Sequence, residues 1–310
     1  MKKEKQTEHK NMKYSHKSLQ TIEDTRVVFW NSYKTHNTLK FLVTVICLVA
    51  IIVAFIVIPS LNLGGIGTGL TVVIAIVALG LTYGYSVFVR KKFDKKMKDY
   101  FVLYFNCIND FALGSKEFSK VDLKKPGKIT LEEFNECKLY KDVCEAGSRG
   151  LTSFKYNKTD MSIVDCAGNV KAEKRIKPIF VGKMVRAKAS YIGDKPVFVY
   201  LKGNDRALPP TNVQDVKNVF EDKKMVIYSD SKTWNKVITA SVMKKLNAIK
   251  TETVLVDLAI SIYGGKLFVM MGYDDPLMVL PLQSEFNPAP VEKYKKDILA
   301  VSELVEALNK

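Results

Sequence analysis

The sequence predicts a hairpin of two transmembrane helices followed by an α+β cytosolic domain with a mainly antiparallel sheet. Three observations support this fold class. Residues 41–89 carry no charged side chain, and basic residues flank this stretch on both sides. Beyond it, the apolar residues first recur at helical spacing, then alternate as in strands, and finally mix both periods. A helix, then strands, then a mixture of the two is the order expected of an α+β domain.

Two apolar runs lie within and beside the charge-free stretch, separated by the Pro- and Gly-containing residues 59–65. Leu39–Ile58 is about the 20 residues that a helix needs to cross roughly 30 Å of hydrocarbon. Ile66–Val89 is slightly longer and can tilt. Backbone amides in lipid need internal partners, so both runs should be helices. A hairpin buried in a soluble core is the competing interpretation, but cores rarely supply two apolar runs of this length.

Basic residues predict the orientation of this hairpin. They precede the first span and follow the second, while the loop between the spans carries no charge. The positive-inside rule therefore predicts a multi-pass protein of the cytoplasmic (plasma) membrane with cytoplasmic N- and C-termini. A long polar segment precedes the first span, so no cleavable signal peptide is expected.

A membrane-surface basic cluster is the one site that the sequence predicts. We expect it to contact a bilayer with anionic head groups, although the same residues could serve only to set the topology. Much of the net charge of +16 lies beside the spans, so no nucleic-acid partner is expected. The cluster comprises Lys40, Arg90, Lys91, Lys92, Lys95, Lys96 and Lys98.

The chain divides into four predicted parts. Residues 1–38 form an N-terminal tail and a juxtamembrane helix, 39–89 the hairpin, 90–113 a juxtamembrane amphipathic helix, and 114–310 the cytosolic domain. The tail up to about Ser15 should be disordered. The helix after it is either amphipathic and lies on the membrane, or is an extension of the first span.

Within the cytosolic domain the sequence first predicts a helix from Thr130 to about Glu145. Thr130 and Glu133 form a capping box, and Gly147 is a plausible stop. We expect Gly147–Gly150 to be a turn. The predicted strands that follow are Leu151–Tyr156, Met161–Asp165, Lys177–Ser190, Pro196–Leu201 and Met225–Tyr228. Helices are predicted over 231–238 and 239–249, followed by a hairpin around Gly264 and Gly265 and a possible strand over 277–280. A closing helix is predicted from Val291, with Pro290 near its start.

The residue types that the predicted cytosolic domain lacks limit the reactions it could catalyse. The histidines are His9, His16 and His36, so the cytosolic domain has none, which excludes His-based triads and Cys2His2 zinc sites within one chain. Cys137 and Cys144 lie seven residues apart, which would place both on one helical face. The usual phosphate-binding and nucleophile motifs do not occur. No catalytic residue, cofactor or metal site is therefore assigned.

The order of several packing motifs resembles a known family. These are Phe180-Val181-Gly182, Val219-Phe220-Glu221 before Val226-Ile227-Tyr228-Ser229-Asp230, the hairpin at Gly264-Gly265, and the N-terminal stretch 19–26. They resemble the uncharacterised bacterial family whose domain of unknown function is numbered three-one-three-seven. The resemblance implies a two-span bacterial membrane protein with no established activity. The chain departs from the family pattern at Tyr156-Asn157-Lys158-Thr159-Asp160, which lacks the family's Gly and Glu.

We therefore expect a membrane-anchored cytosolic binding or scaffold domain that contacts a protein partner or a second copy of itself. Candidate surfaces are the Phe93–Phe111 helix and the closing helix, unless these stripes pack on their own domain. Gly65 and Gly69 could support close helix packing or simply turn flexibility. The alternative function is a membrane-tethered enzyme with a non-histidine site, carboxylate-based or metal-assisted, for which Asp160, Asp165 and Asp274-Asp275 are candidates. A channel is disfavoured because residues 41–89 carry no charged side chain.

Overall fold

The computed structural model describes residues 13–61, 64–123, 127–172, 175–191, 195–201, 216–230, 232, 234–252, 257–273 and 280–310. These residues form two compact units. The first, here called the helical unit, contains Gln20–Leu103 and Leu280–Phe286. The second, here called the sheet domain, contains Tyr104–Val279 and Asn287–Lys310 together with the residues up to Leu19.

Two long helices contain the predicted spans. Helix α1 runs from Lys17 to Ser60 and helix α2 from Gly64 to Ala112. Both are long and apolar enough to cross a membrane. Helix α1 is continuous from residue 17 into the first apolar run, as the second of the two alternatives predicts. Leu19, Ile22 and Phe29 are buried within the protein, so this part of α1 does not offer them to a lipid surface.

Nine strands of the described residues form one antiparallel sheet, in the order β1-β2-β3-β4-β9-β8-β5-β7-β6. This arrangement confirms the predicted antiparallel sheet. The strands and the remaining helices, in chain order, are β1 Phe118–Ser119, α3 Leu131–Asn135, β2 Val143–Tyr156, β3 Thr159–Ala172, β4 Arg175–Lys188, β5 Val197–Leu201, β6 Lys217–Glu221, β7 Met225–Ser229, α4 Trp234–Val237, α5 Ala240–Glu252, β8 Asp257–Tyr263, β9 Lys266–Gly272 and α6 Ala289–Leu308.

The predicted helix to Glu145 and the predicted turn at Gly147–Gly150 are wrong. The capping box of Thr130 and Glu133 is present, but helix α3 ends at Asn135. Lys138 and Asp142 take positive φ angles of 55° and 57°, which a continuing α-helix does not allow. From Val143 the chain is strand β2, paired with β3 from Val143 opposite Val170. Cys137 is buried and Cys144 is exposed, so the two thiols do not share a helical face.

Adjacent residues of β4 show that the sheet buries both faces. Met184 belongs to a core cluster with Phe134 and Tyr140, which come from the segment around α3. Lys183 points to the opposite face, where its ammonium lies over the ring of Tyr294 in α6. Strand β4 is therefore covered on one side by the α3 segment and on the other by the closing helix.

Several other predictions are confirmed. The β8–β9 hairpin turns at Gly264 and Gly265, with φ angles of 59° and 71°. Thr239 precedes α5, where its hydroxyl accepts a hydrogen bond from the amide of Val242. Helix α6 carries Pro290 in its first turn and buries its apolar stripe. The possible strand over 277–280 and the tail up to residue 12 lie largely outside the described residues.

Both predicted docking surfaces are covered. On α2, five residues of the predicted stripe are buried, namely Phe93, Tyr100, Tyr104, Ile108 and Phe111, and the other two, Met97 and Phe101, are half-buried. On α6, the whole predicted stripe is buried, comprising Val291, Tyr294, Ile298, Val301, Val305 and Leu308. These stripes pack within the chain, which is the alternative that the sequence left open.

Candidate functional site

The predicted basic cluster lies mostly on α2, directly after the charge-free stretch. Successive residues of a helix are about 100° apart around its axis, which puts Lys91, Lys95 and Lys98 on the side opposite Phe93. All three lysines are exposed, whereas Phe93 is buried. Arg90 is exposed and lies 4.0 Å from Asp94, and Lys40 on α1 is half-buried. The outward side of α2 is thus a basic band.

Lys92 and Lys96 lie at the edge of that band and reach the other helix of the same unit. The Lys92 ammonium lies 2.9 Å from Nε2 of His36, and the Lys96 ammonium donates to the hydroxyl of Ser32 at 3.3 Å. His36 Nδ1 lies 2.8 Å from the carbonyl oxygen of Ser32. That carbonyl can only accept and an ammonium can only donate, so this geometry assigns the ring hydrogen to Nδ1 and leaves Nε2 as an acceptor.

An aromatic cluster holds α1 and α2 together beneath these contacts. The ring of Phe93 meets Phe29, Tyr33 and His36 edge to face, with centroid distances of 5.8, 5.2 and 5.3 Å. Phe29 also stacks on Tyr100 at 5.7 Å. Edge-to-face pairs are each worth about 0.5–1.5 kcal/mol beyond their buried area. The polar contacts of Lys92 and Lys96 therefore sit on a packed base.

A segment from near the end of the chain, Leu280–Phe286, completes the helical unit. Arg26 and Glu23 form a two-point ion pair on α1, with distances of 2.6 and 2.7 Å. Arg26 donates to the carbonyl of Leu282 at 3.3 Å, and Glu23 accepts from the amide of Phe286 at 2.9 Å. Tyr100 donates to the carbonyl of Pro281 at 3.1 Å. Side chains of both long helices thus satisfy backbone groups of this segment.

The sheet domain contains a buried polar cluster where α6 and the end of α2 meet the sheet. Lys183 binds the carboxylate of Asp165, and its ammonium lies 4.4 Å from the ring centre of Tyr294. Arg149 lies 3.7 Å from the same carboxylate. The remaining contacts are Tyr294 to Asn109 at 3.4 Å, Asn109 to Thr152 at 2.8 Å, and Tyr273 to Asp297 at 3.1 Å.

Burial sets the protonation of the phenols in this cluster. It raises the pKa of Tyr273 and of Tyr294, and nearby Asp297 and Asp165 respectively raise each pKa further. Both phenols are therefore neutral and able to donate hydrogen bonds at neutral pH. Lys183, Asn109 and Tyr294 are each almost fully buried, so the cluster joins α2 and α6 to the sheet.

Asp160 and Asp165, the two described carboxylates among those proposed for a metal or acid–base site, are not brought together. Asp160 and Asp165 are five residues apart on β3 and therefore point to opposite faces of the sheet. Asp160 pairs with Lys155 at 3.2 Å, and Asp165 with Lys183. Within the described part of the chain, no three His, Cys, Asp or Glu side chains gather in a group that could hold a metal ion. Asp274 and Asp275 lie outside the described residues.

Burial keeps three cysteines of the sheet domain in the thiol form. Burial raises the pKa of the Cys137 thiol to about 12 and that of Cys107 to about 11, and Asp110 also raises the latter. Burial and Asp165 raise the pKa of Cys166 as well. These three thiols stay protonated at neutral pH, when the thiolate is the reactive form. Cys144 is the exposed thiol of this set.

An open cleft of about 500 Å³ lies between α3 and the turn of the β8–β9 hairpin. Leu131 and the 40% exposed Tyr263 supply its apolar surface. An ion pair between Lys266 and Glu136, at 2.9 Å, lies beside them. An apolar surface with mixed charges around it is a feature of protein-binding surfaces.

The predicted small-residue pair of α2 is open. Gly65 and Gly69 are exposed, and an added Cβ at either position would meet no atom within 4 Å. The Gly-x-x-x-Gly therefore does not mediate the contact between α1 and α2.

Three features of these sites were missed by sequence reasoning. The pairing of His36 with Lys92 joins residues from two helices, and no local pattern encodes it. The docking of Leu280–Phe286 was also missed, since an irregular segment has no period. Lys183 did leave a signal, because it stands in an otherwise apolar run from Ile179 to Val185 and so needs a buried partner.

Comparison with known proteins adds little. No protein-family model matches the chain, and no curated protein matches it. The crystal structure of the mycobacterial trehalose monomycolate transport factor A, TtfA, matches with a TM-score of 0.36 and 9% sequence identity, covering 66% of this chain and 95% of that chain. A similarity of this size carries no argument about function.

Proposed function

We propose that this chain is a multi-pass protein of the cytoplasmic membrane with both termini in the cytoplasm. It holds its sheet domain at an anionic lipid surface, where the domain binds a protein partner or a second copy of the chain. We also propose that the chain belongs to the bacterial two-span family that its sequence resembles. The observation that carries it is the basic band of α2, which begins immediately after the charge-free stretch.

Electrostatics supports this assignment. A lysine or arginine beside an anionic membrane gains up to about 1 kcal/mol, and the gain falls off within a Debye length of about 8 Å. Lys91, Lys95 and Lys98 are exposed and share one side of α2. If α2 crosses the bilayer, these lysines lie within that range of the head groups.

Lipid enrichment tests the membrane-surface part of the proposal. The full-length protein is placed in nanodiscs that contain phosphatidylcholine and phosphatidylglycerol, and native mass spectrometry counts the phosphatidylglycerol molecules that it retains. The test variant changes Arg90, Lys91, Lys95 and Lys98 to Gln. The matched control changes the exposed Lys116, Lys223, Lys232 and Lys310 to Gln, which removes the same charge elsewhere. Enrichment should fall in the test variant and persist in the control. Equal phosphatidylglycerol enrichment in the two variants would contradict a lipid-facing band.

Thiol labelling tests the orientation. Cys144 is exposed in the sheet domain, and Ser60 is exposed at the end of α1, beside the predicted outer loop. A membrane-impermeant maleimide should reach a Ser60→Cys variant in intact cells, but Cys144 only after permeabilisation. A Cys144→Ser variant identifies the second signal. Labelling of Cys144 in intact cells would contradict cytoplasmic termini.

Protein binding by the sheet domain is supported by the cleft beside Tyr263. A pull-down from mild detergent compares the full-length chain with a chain truncated after Lys98. Proteins held through the cleft should be lost with the truncation and with Tyr263→Glu, and kept with Ile176→Glu. Ile176 is the matched control because it is also an exposed apolar residue of the sheet domain, 54% exposed, and does not line the cleft. Equal loss with both Glu variants would exclude the cleft as the contact.

A further inference from the structure

Lys92 and Lys96 form an unusual pair on the helical unit. They are four residues apart on α2 and therefore lie one helical turn from each other on the same side. Like charges at this spacing repel and slightly destabilise a helix. Nevertheless both ammonium groups turn towards α1, where one meets His36 and the other meets Ser32. Two cations are thus held side by side between the two helices.

The sequence offers this pair very little negative charge. No acidic residue occurs between Asp24 and Asp94, a stretch that includes most of α1, all of the charge-free region and Lys92 itself. Asp94 and Asp99 are the nearest acids in sequence: the carboxylate of Asp94 is 4.0 Å from Arg90, and Asp99 is one helical turn beyond Lys96. The contacts that hold Lys92 and Lys96 come from a neutral imidazole and a hydroxyl. Neither of these neutralises a positive charge.

Both lysines keep hydrogen-bond donors for a further ligand. An ammonium group has three donors and no acceptor. Lys92 uses one donor towards His36 Nε2, and Lys96 uses one donor towards Ser32 Oγ. The pair is also accessible, since Lys96 is exposed and Lys92, His36 and Ser32 are half-buried. An anion with several acceptor oxygens suits such an arrangement.

Aromatic rings fix where the two ammonium groups lie. Lys92 lies over the ring of Phe88 at 5.8 Å, and Lys96 over the ring of Phe93 at 5.6 Å. Phe93 is in turn held by Phe29, Tyr33 and His36. Because the lysine side chains are already ordered, binding an anion costs less side-chain entropy than it would at two free surface lysines.

The position along α2 indicates the source of the anion. Lys92 follows Val89, the last residue of the charge-free stretch, by three residues, which is about 4.5 Å along a helix. If α2 spans the bilayer, as the proposed function holds, Lys92 and Lys96 lie at the level of the lipid phosphates. A soluble phosphate has the same chemistry and must be distinguished by experiment.

We infer that Lys92 and Lys96 together bind the phosphate of an anionic phospholipid, with His36 and Ser32 as the residues that position them. The phosphate accepts hydrogen bonds from both ammonium groups and removes their mutual repulsion. This inference rests on the proposed function and deepens it, because it names one defined lipid site at the edge of a band that otherwise attracts lipid diffusely.

The three histidines of the chain give a direct readout. The full-length protein is labelled with 15N in histidine and placed in nanodiscs of phosphatidylcholine, of phosphatidylcholine with phosphatidic acid, or of phosphatidylcholine with added inorganic phosphate. A His36→Gln variant assigns the His36 ring signals. Native mass spectrometry measures retained phosphatidic acid in parallel. The test variant is Lys92→Gln/Lys96→Gln. The matched control is Lys293→Gln/Lys296→Gln, which makes the same charge change at two exposed lysines about one turn apart on α6, outside the basic band.

Phosphatidic acid should shift the His36 ring nitrogens in the wild type and in the matched control, and should not do so in the test variant. Retention of phosphatidic acid should fall at least ten-fold in the test variant, because two charge-assisted hydrogen bonds are lost and glutamine can replace them only with weaker neutral ones. Equal retention by the two double variants, or no lipid-dependent shift of His36, would overturn the site. The proposed enrichment of phosphatidylglycerol at the band would not be affected, because a separate nanodisc measurement tests it. If inorganic phosphate alone reproduces the shift and phosphatidic acid adds nothing, the ligand is soluble phosphate and the lipid assignment is wrong.

Discussion

The ammonium of Lys183 binds the carboxylate of Asp165 inside the sheet domain, across two neighbouring strands. The two residues are directly opposite each other in the β3–β4 register, and the ammonium also faces the ring of Tyr294. Lys183 is buried to 4% exposure. A buried pair of this kind is costly to break, because one charge is then left without its partner in a medium of low polarity.

Replacing Lys183 with Met should therefore destabilise the protein by about 3 kcal/mol, the usual scale for breaking a buried pair. Arg149, near the same carboxylate, will moderate the loss. For a domain of roughly 200 residues this corresponds to a thermal midpoint lower by about 6–12 °C. The midpoint is measured on the full-length protein in detergent by intrinsic fluorescence.

Two further variants make this prediction specific. The double change Lys183→Met/Asp165→Asn should cost less than the sum of the single changes, since neither charge is then left alone. Lys155→Ala breaks the pair with Asp160, whose side chain is 81% exposed, and should have only a small effect. A Lys183→Met protein as stable as Lys155→Ala would contradict the buried-pair interpretation.

Stability should fall at high pH because several buried acids are held in their protonated form. Burial raises the pKa of Cys137 from 9.0 to about 12, so above pH 9 the unfolded chain loses this proton while the folded protein keeps it. The folded state then binds more protons, and the free energy of unfolding decreases as the pH rises, by up to about 1.4 kcal/mol per pH unit for each such group. This stabilising contribution is complete below pH 9 and is lost as the pH rises towards 12. Tyr140 and Tyr273 add to the same trend, since burial also raises the pKa of each.

The measurement is the thermal midpoint of the full-length protein between about pH 7 and pH 10.5. Cys137→Ala should make the decline above pH 9 less steep, whereas Cys144→Ala, at the exposed thiol, should leave the slope unchanged. An identical slope in the two variants would show that Cys137 does not contribute.

Gly182 should not tolerate a side chain. It lies opposite Gly272 in the β4–β9 pairing, and an added Cβ would lie 1.9 Å from the carbonyl oxygen of Met271. Relief requires the strands to separate, so Gly182→Ala should lower the free energy of unfolding by more than about 2 kcal/mol. Gly147→Ala on β2 is the control, since no atom lies within 4 Å of its added Cβ, and it should change stability by no more than about 0.5–1 kcal/mol. Comparable thermal midpoints for the two variants would contradict this packing.

Glu23 should protect the segment Leu280–Phe286 from hydrogen exchange. Its carboxylate accepts the amide hydrogen of Phe286 and also orients Arg26 towards the carbonyl of Leu282. Glu23→Ala should raise the exchange rate of the Phe286 amide about ten-fold, which corresponds to the loss of about 1.4 kcal/mol of local protection. Asp24→Ala, at the exposed neighbouring acid, should leave that amide unchanged. The rates are read by mass spectrometry of peptides that cover residues 280–286. Unchanged exchange in Glu23→Ala would mean that other contacts hold the segment.

The error in residues 136–150 shows where sequence reasoning stops. Phe134, Cys137 and Cys144 recur at spacings of three and seven, which is typical of a helix. The structure instead ends the helix at Asn135 and uses Lys138 and Asp142 at positive φ to lead the chain into β2. The pairing of Val143 with Val170, which is distant in sequence, outweighs the local periodicity because it satisfies the backbone in a sheet and fills the core around Phe134.

The basic cluster also shows which features of the candidate site the sequence predicts and which depend on packing. Its seven residues could be named from the sequence because their position depends only on the end of a charge-free run. Which of them point outward and which reach α1 could not be named, since this depends on how Phe93 packs against Phe29 and His36.

The sequence by itself determined the features that local physics controls. These are the two apolar helices, whose length and lack of charge suit a bilayer, the capping box at Thr130, the turn at Gly264-Gly265 and the stripe of α6. Only the tertiary structure decided which polar groups meet. His36 with Lys92, Lys183 with Asp165, and Glu23 with Phe286 each join residues that are far apart in the chain. A hydrogen bond or ion pair depends on a distance of about 3 Å, and that distance is set by the packing of whole helices and strands and not by the residues near it in sequence.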